Sequence, residues 1–319
     1  MNKYLAVLCT PSIYHPNALR SINSLKLTNL KDVELVIADN CNDLDFRHAK
    51  VMQEYLYYAS GGPVIFLDDD IVINDPDWIE KLVKCAEKTG AAIVGCIHTY
   101  PSGEVNHEGI LVYHDGSTEL LRERIEKSPN NYYVPAVSSA AMLVTETNAL
   151  SFDTAFAKYQ HDVDLCLSAW TKGFKVARTS ELKIVHQLGG FASGVDGFRD
   201  LYLSDSSYLQ KKWKNFVSRK LYQKPEIASF SELAEEFNWE RFYNEASFLS
   251  ASDPKKAVWM FSKIVKDCPF RWRRSGAYFH LYKLEGDHKN LQHCVQLNGL
   301  HQAAVNELMR LETIEESFC

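Results

Sequence analysis

Short apolar runs rich in β-branched residues alternate with amphipathic helix patterns along the first half of this 319-residue chain. Four of these runs are typical of buried strands, at residues 5–9, 33–38, 64–67 and 91–97. Helix patterns separate them, at residues 17–27, 46–59 and 78–89. Because parallel strands need a crossover connection, which is usually a helix, the alternation predicts an α/β domain. We expect a Rossmann-like, mostly parallel sheet with helices on both faces.

The pattern changes further along the chain. Residues 134–145 predict a strand that begins with small side chains, and residues 162–172 predict a helix. Two short strands are expected at 175–177 and 182–185, and the Gly-, Ser- and Asp-rich residues 189–205 predict a loop. Beyond residue 222 only helix patterns follow. We therefore predict two domains, an α/β domain over residues 1–222 and an all-α domain over residues 223–319.

One helix of the second domain suggests a repeat. Ala257, Phe261, Ile264 and Pro269 have the spacing of the second helix of a tetratricopeptide repeat. The first-helix positions match poorly, so a generic antiparallel helical domain is at least as well supported. Residues 270–274, FRWRR, indicate either a solvated basic turn around one buried tryptophan or a surface that binds an anionic or sugar partner.

The composition argues against several classes of protein. A net charge of −6 is unsuited to nonspecific binding of nucleic acid. The eight cysteines form no CxxC pair, which predicts reduced thiols and neither a zinc finger nor a disulfide scaffold. The first apolar run is too short for a signal peptide, and no stretch is long enough to span a membrane. We expect a cytoplasmic protein and leave peripheral membrane association open.

The strongest chemical signal is the segment 64–70, VIFLDDD, an apolar strand that ends in three carboxylates. Ligands of open α/β sheets bind beyond the carboxyl ends of the strands. Adjacent like charges are unfavourable unless a cation neutralises them, and Mg²⁺ and Mn²⁺ prefer oxygen ligands. The segment therefore indicates a site for a divalent cation rather than an acidic turn that caps the next helix.

Two further clusters are ambiguous by themselves. His161, Asp162 and Asp164 open a predicted helix, where carboxylates also interact favourably with the helix dipole. His186 follows a predicted strand, and two residues separate it from the pair Gly189-Gly190. A single histidine at such a position is most often structural, so neither cluster assigns a function alone.

The order and spacing of these motifs resemble the family 2 glycosyltransferases, whose fold is called GT-A, over about residues 4–213. Thr10 and Pro11 follow the first strand as in that family. Asp39 ends the second strand, where the family's aspartate meets the nucleotide base, and the aspartate triplet looks like the DxD motif. The segment 161–165, HDVDL, is similar to the family's Glu-Asp motif, although this chain has histidine where the family usually has glutamate.

This resemblance implies an inverting transfer of a sugar from a nucleotide sugar, expected to be a UDP-sugar, to an acceptor hydroxyl. It implies Mn²⁺ or Mg²⁺ held by Asp70 and His186, which stabilises the leaving nucleotide. It implies Asp162 as the general base, with Asp164 the next candidate. Residues 189–205 would close over the donor as a lid. The residues implied in donor binding lie at the same strand ends: Thr10, Pro11, Asp39, Asp68, Asp69, Ser139 and Ala140.

The acceptor stays open: a glycan, a lipid-linked sugar, a protein, a small molecule or a modified nucleic acid. We expect the helical domain to recognise the acceptor or a partner. A transferase-like scaffold without activity is one alternative, favoured by His161 and opposed by the intact acidic motifs. A haloacid-dehalogenase-like phosphatase would use the aspartate triplet but lacks its second motif, since Leu291 stands at the required aspartate. A pyrophosphorylase would need a glycine-rich loop where residues 10–13 read TPSI.

Overall fold

The chain forms two compact units, Met1–Glu236 and Phe237–Cys319. The predicted order, an α/β unit followed by a helical one, is confirmed. The division lies after Glu236 and not after residue 222, because Ile227, Phe230 and Ala234 are buried in the core of the first unit. The computed structural model describes residues 3–41, 46–122, 133–186, 198–235, 238–268, 270–298 and 301–317.

The first unit holds the strands and six of the helices found in the described residues. In chain order they are β1 (Tyr4–Thr10), α1 (Pro16–Lys26), β2 (Val33–Asp39), α2 (His48–Tyr58), β3 (Val64–Asp68), β4 (Ile71–Val72), α3 (Trp78–Thr89), β5 (Ala91–Thr99), β6 (Val105–His107), β7 (Ile110–Val112), β8 (Thr118–Leu120), β9 (Ala141–Val144), α4 (His161–Thr171), β10 (Lys175–His186), α5 (Phe198–Arg219) and α6 (Ser231–Glu235).

The main sheet has the strand order β2-β1-β3-β9-β5-β10-β4, with β6 paired to β5. The strands β2, β1, β3, β5 and β10 run in one direction, and β9, β4 and β6 oppose them. Alternate side chains enter two core layers. Helices α1 and α3 pack in one layer, and α2, α4 and α5 pack in the other. The predicted GT-A architecture, a mostly parallel sheet covered on both faces, is confirmed.

Three local predictions were wrong. The strand expected over residues 134–145 is confined to β9, and the two short strands expected near 175 and 182 are one strand, β10. The loop expected over 189–205 includes the first turns of helix α5. The rest of that predicted lid, before Phe198, lies outside the described residues, so its closure stays a prediction.

The second unit contains only helices among its described residues: α7 (Trp239–Ser252), α8 (Pro254–Asp267), α9 (Arg271–Glu285), α10 (His288–Leu297) and α11 (Gln302–Ser317). Ala257, Phe261 and Ile264 are fully buried, so the apolar face predicted for α8 is confirmed. Each helix packs against its successor. The repeat assignment stays a prediction.

The basic segment 270–274 opens helix α9 rather than forming an exposed turn. Arg273 is 6% exposed and forms an ion pair with Glu240. Its guanidinium lies 3.7 Å from the ring centroid of Trp272 and 4.9 Å from that of Tyr243. Arg273 is therefore already paired inside the helical unit, and the expectation that the segment 270–274 binds an anionic or sugar partner stays a prediction.

Candidate active site

Three side chains converge where the carboxyl ends of β3 and β10 meet. Asp68 ends β3, Asp70 lies in the turn that follows, and His186 ends β10. Strand β4 pairs with the end of β10, which brings that turn beside His186. His186 Nε2 lies 3.0 Å from Asp70 Oδ1, and the possible ligand atoms of all three residues lie within 4.8 Å of one another. The structure thus brings together Asp70 and His186, the two residues that the resemblance assigns to the metal.

The donor set suits a hard divalent cation. Asp68 Oδ1 is buried and has no hydrogen-bond partner among the described residues, and His48 Nε2 approaches it only to 3.5 Å. Burial, followed by repulsion from Asp70, raises the pKa of Asp68 to about 8. Burial disfavours the charged imidazole of His186, but hydrogen bonding to Asp70 and the two negative charges raise its pKa. Two carboxylates and one imidazole whose possible ligand atoms lie this close together are a donor set that fits Mn²⁺ or Mg²⁺.

Asp69 has a different environment from its two neighbours. The hydroxyl of Thr10, a fully buried residue, donates a 2.7 Å hydrogen bond to Asp69 Oδ2. The hydroxyl of Ser21 donates to the Asp69 backbone carbonyl at 2.9 Å. Asp69 therefore anchors the turn to the end of β1 and to α1, and its carboxylate does not belong to the metal-ligand group.

The loop that begins at Pro11, directly after β1, is hydrogen-bonded to the end of β2. Asp39 is exposed, and its Oδ1 accepts hydrogen bonds of 3.2 Å from the backbone N–H groups of Ile13 and Cys41. The structure therefore brings the residues assigned to donor binding in the first two strands to one edge of the sheet. Pro11 is half-buried at that edge.

The candidate base is held by the segment that also contacts the metal-ligand group. Asp162 lies in the first turn of α4, and its Oδ2 accepts a 3.2 Å hydrogen bond from the N–H of Ser139. Its Oδ1 accepts from the N–H of Val163 at 2.8 Å. Ala140, which follows Ser139 in the chain, accepts a 3.2 Å hydrogen bond at its backbone carbonyl from the N–H of Asp68. The adjacent residues Ser139 and Ala140 thus hold Asp162 in a fixed position relative to Asp68. Each carboxylate oxygen of Asp162 still has a lone pair that can accept a proton.

His161 occupies the position where the resembled family has glutamate, and it faces the interior. It is 3% exposed, and its Nε2 lies 3.3 Å from the Ser139 hydroxyl. Its ring stands edge-on to that of His48, with centroids 5.1 Å apart. Burial lowers its pKa, although Asp162 opposes that effect. A buried, neutral imidazole here supports the base segment without adding a charge beside Asp162.

A side chain of helix α5 holds the segment that immediately precedes α4 and Asp162. The buried Asp205 carboxylate accepts hydrogen bonds from the backbone N–H groups of Ala157, Lys158 and Tyr159 at 3.0, 2.9 and 2.8 Å. The next residue, Gln160, has a left-handed backbone with φ of 65°, which is costly for a residue with a side chain. These three hydrogen bonds hold the chain in the conformation that places Asp162 at the helix start.

The second carboxylate of that helix has a structural role. Asp164 is 1% exposed and accepts a 2.6 Å hydrogen bond from Trp213 Nε1. Lys212 Nζ lies 2.7 Å from the same oxygen, Oδ1. Because both partners come from α5, Asp164 fastens α4 to α5 and is a poor candidate for the base.

Sequence reasoning missed three polar residues of this region. His48 begins α2 beside Asp68, and His98 lies 3.2 Å from His186 between their Nδ1 atoms. Lys158 is half-buried, and burial lowers its pKa against the attraction of the aspartate triplet. The available signal for His98 was a histidine at the carboxyl end of a strand that is otherwise apolar or small.

Residues 42–143 match the model of the glycosyl transferase family 2. The O-antigen biosynthesis protein RfbC of Myxococcus xanthus is 27% identical over 140 residues, which are 40% of this chain and 11% of that protein. The uncharacterized protein y4gI of Sinorhizobium fredii (strain NBRC 101917 / NGR234) is 22% identical over 194 residues, 53% of this chain and 20% of that protein. The chain thus spans at most about a fifth of the length of these two relatives.

The crystal structure of GalNAc-T7 with UDP, GalNAc and Mn²⁺ superposes with a TM-score of 0.50 at 12% identity, covering 79% of this chain and 58% of that one. This likeness shows the fold. Together with the family match over residues 42–143, it confirms the resemblance found in the sequence: the chain has the GT-A fold, and this region is similar to the family 2 glycosyltransferases. No helix of the described part of the chain has both the length and the apolar character needed to cross a membrane.

Proposed function

We propose that this protein is a metal-dependent, inverting glycosyltransferase that takes its sugar from a nucleotide sugar, with a UDP-sugar as the expected donor. Two features support the proposal. Asp68, Asp70 and His186 form one group of possible metal ligands. The carboxylate of Asp162 is hydrogen-bonded to Ser139, and the adjacent Ala140 is hydrogen-bonded to Asp68. The UDP and Mn²⁺ in the structure of GalNAc-T7, which shares the fold, support the choice of donor and ion. A cytoplasmic location stays a prediction from the sequence.

In this proposal Asp70 and His186, with Asp68, hold Mn²⁺ or Mg²⁺, which supplies Lewis-acid stabilisation of the departing diphosphate when bound. Asp162 accepts the proton of the acceptor hydroxyl as that oxygen attacks the anomeric carbon from the face opposite the nucleotide. A single displacement of this kind inverts the configuration, by analogy with inverting hydrolases. Asp68, which the sequence assigned to donor binding, is moved to the metal in this proposal because its carboxylate lies with Asp70 and His186. Donor contacts stay assigned to the other residues of that set: Thr10, Pro11, Asp39, Asp69, Ser139 and Ala140.

A screen of nucleotide sugars tests this function. The unfolding temperature and the slow hydrolysis of each nucleotide sugar are measured with Mn²⁺, with Mg²⁺ and with EDTA. We expect one donor class to raise the unfolding temperature only when metal is present, because a ligand that binds the folded state stabilises it by mass action. A protein that neither hydrolyses nor is stabilised by any nucleotide sugar with metal would contradict the proposal.

The helical unit is proposed to recognise the acceptor or a partner protein, since every assigned catalytic residue precedes residue 187. A chain that ends at Glu236, where the first unit ends, is expected to keep nucleotide-sugar hydrolysis and to lose transfer to the native acceptor. Circular dichroism checks that the shortened chain is folded. A folded 1–236 chain that transfers as well as the full chain would remove this role from the helical unit.

A further inference from the structure

Two buried histidines lie behind the metal-ligand group, and the proposed function uses neither. His98 is on β5 and His107 ends β6, where they are partners in the antiparallel register. They are 1% and 3% exposed, and their rings lie 4.1 Å apart at an angle of 35°. The His98 Nδ1 atom lies 3.2 Å from Nδ1 of His186, on the next strand of the sheet.

The two ring nitrogens of His186 therefore have different neighbours. Nε2 lies 3.0 Å from Asp70, on the side of the metal-ligand group, and Nδ1 lies against His98. A histidine that binds a metal through Nε2 must carry its proton on Nδ1, and the partner of that proton fixes the tautomer and the ring orientation. At 3.2 Å one of the two Nδ1 atoms donates and the other accepts. With metal on Nε2, His186 is the donor and His98 is the acceptor.

His98 is suited to accept because its environment keeps it neutral. Its side chain is enclosed in the sheet, on a strand whose nine residues are all buried, and burial of an unpaired charge there would be costly. The ring of His107 lies against one side of His98 and restricts its rotation. The proton acceptor is thus held in place by the pairing of β5 with β6.

We propose, resting on the function proposed above, that His98 is a positioning residue for the metal site. It accepts the Nδ1 proton of His186 and so directs the Nε2 lone pair of His186 toward the cation shared with Asp68 and Asp70. His107 supports the ring of His98. Neither residue contacts the donor or the metal in this arrangement.

The test compares two substitutions of the same residue. His98→Asn retains an acceptor oxygen close to the position of Nδ1, whereas His98→Leu fills a similar volume without one. Mn²⁺ binding is measured in the presence of UDP from the electron paramagnetic resonance signal of free Mn²⁺. We expect His98→Leu to weaken Mn²⁺ binding by about 10–100-fold, the usual effect of losing such an outer partner, and His98→Asn to recover most of it.

A control in the next residue separates this role from general disturbance of the sheet. Thr99→Val removes the 3.1 Å hydrogen bond from the Thr99 hydroxyl to the Ile184 carbonyl, which joins the same two strands. Mn²⁺ binding should not change in this variant. Unfolding temperatures in EDTA show whether each variant is folded.

A second readout does not depend on any variant. Nitrogen-15 NMR of the wild-type protein with Mg²⁺ and UDP should show His186 protonated at Nδ1. Protonation at Nε2 in the metal-loaded protein would overturn the proposal.

The remaining outcomes distinguish the two proposals. If the wild type binds no Mn²⁺, or Asp70→Asn binds it equally well, the metal site of the proposed function fails and the positioning role fails with it. If Asp70→Asn weakens Mn²⁺ binding and folded His98→Leu does not, only the positioning role is wrong. The three histidines also have ligand atoms within 4.8 Å of one another. Zn²⁺ binding that survives Asp70→Asn and is lost in His98→Asn would make His98 a ligand and overturn the role proposed here.

Discussion

Asp162→Asn is expected to lower the rate of sugar transfer by about 10²–10⁴-fold while nucleotide-sugar binding is retained. An amide cannot take up the proton of the acceptor hydroxyl. The two oxygens of the Asp162 carboxylate also accept one backbone hydrogen bond each, from the N–H groups of Ser139 and Val163. Asparagine has one acceptor oxygen, so one N–H group loses its partner at a cost of about 1–3 kcal/mol in unfolding free energy. Transfer kinetics and donor titration are therefore measured well below the unfolding temperature of the variant.

The matched control lies two residues further along the same helix. Asp164→Asn removes the negative charge that pairs with Lys212 and keeps an acceptor for Trp213. It should lower the unfolding temperature without a selective loss of transfer. Near-normal transfer by Asp162→Asn would place the base elsewhere, and a folded Asp164→Asn that binds donor but fails to transfer would point to Asp164.

The central strands and their connecting helices could be predicted because burial on both faces leaves uninterrupted apolar runs. β1, β2, β3 and β5 and helices α1–α4 begin and end within two residues of their predicted limits. Strand β10 was divided in the prediction because its middle is polar. Arg178 and Thr179 are nonetheless 2% exposed, and Arg178 forms an ion pair of 2.7 Å with Glu108. Paired polar groups inside a sheet cannot be told from a loop by hydrophobicity.

The start of helix α5 was missed for a related reason. Asp205 faces inward, where its carboxylate accepts three backbone hydrogen bonds from the segment before α4. Residues 198–205 resemble a loop because many of their side chains are polar, and Asp205, which makes these buried hydrogen bonds, is one of them. The pattern of apolar residues predicts helices that pack against the core through apolar side chains. It does not predict a helix that is held partly by hydrogen bonds to another segment.

The site was predictable where its chemistry follows a strand end. Asp68, Asp70 and His186 lie at or just after strand ends. Asp162 opens a helix, and it and His186 gained a role only because the resembled family has such residues in the same order. His98 does not stand out, because its only signal is one histidine in an apolar strand. Its contact with His186 joins residues 88 positions apart, and no local spacing encodes that contact.

Asp70→Asn is expected to remove the metal dependence of the protein. Turnover of the nucleotide sugar should fall by about 10²–10³-fold, since loss of one preorganised stabiliser of developing negative charge has an effect of that size. The Mn²⁺-dependent rise in unfolding temperature should disappear as well. Asp75→Asn is the control, because Asp75 forms an ion pair with Lys81 outside the metal-ligand group and its loss should leave Mn²⁺ binding unchanged.

The fold should tolerate the loss of Asp70, and the reason lies in two opposing effects. The substitution breaks the ion pair with His186, which costs stability. It also removes the repulsion that, after burial, raises the pKa of Asp68 to about 8. A buried carboxylate with a raised pKa destabilises the folded state at pH values above its unfolded pKa, so relief of that repulsion restores stability near neutral pH. The unfolding temperature in EDTA should therefore change little, while Mn²⁺ binding is lost. Turnover that resists both EDTA and Asp70→Asn would show that the carboxylates at the end of β3 do not serve a metal.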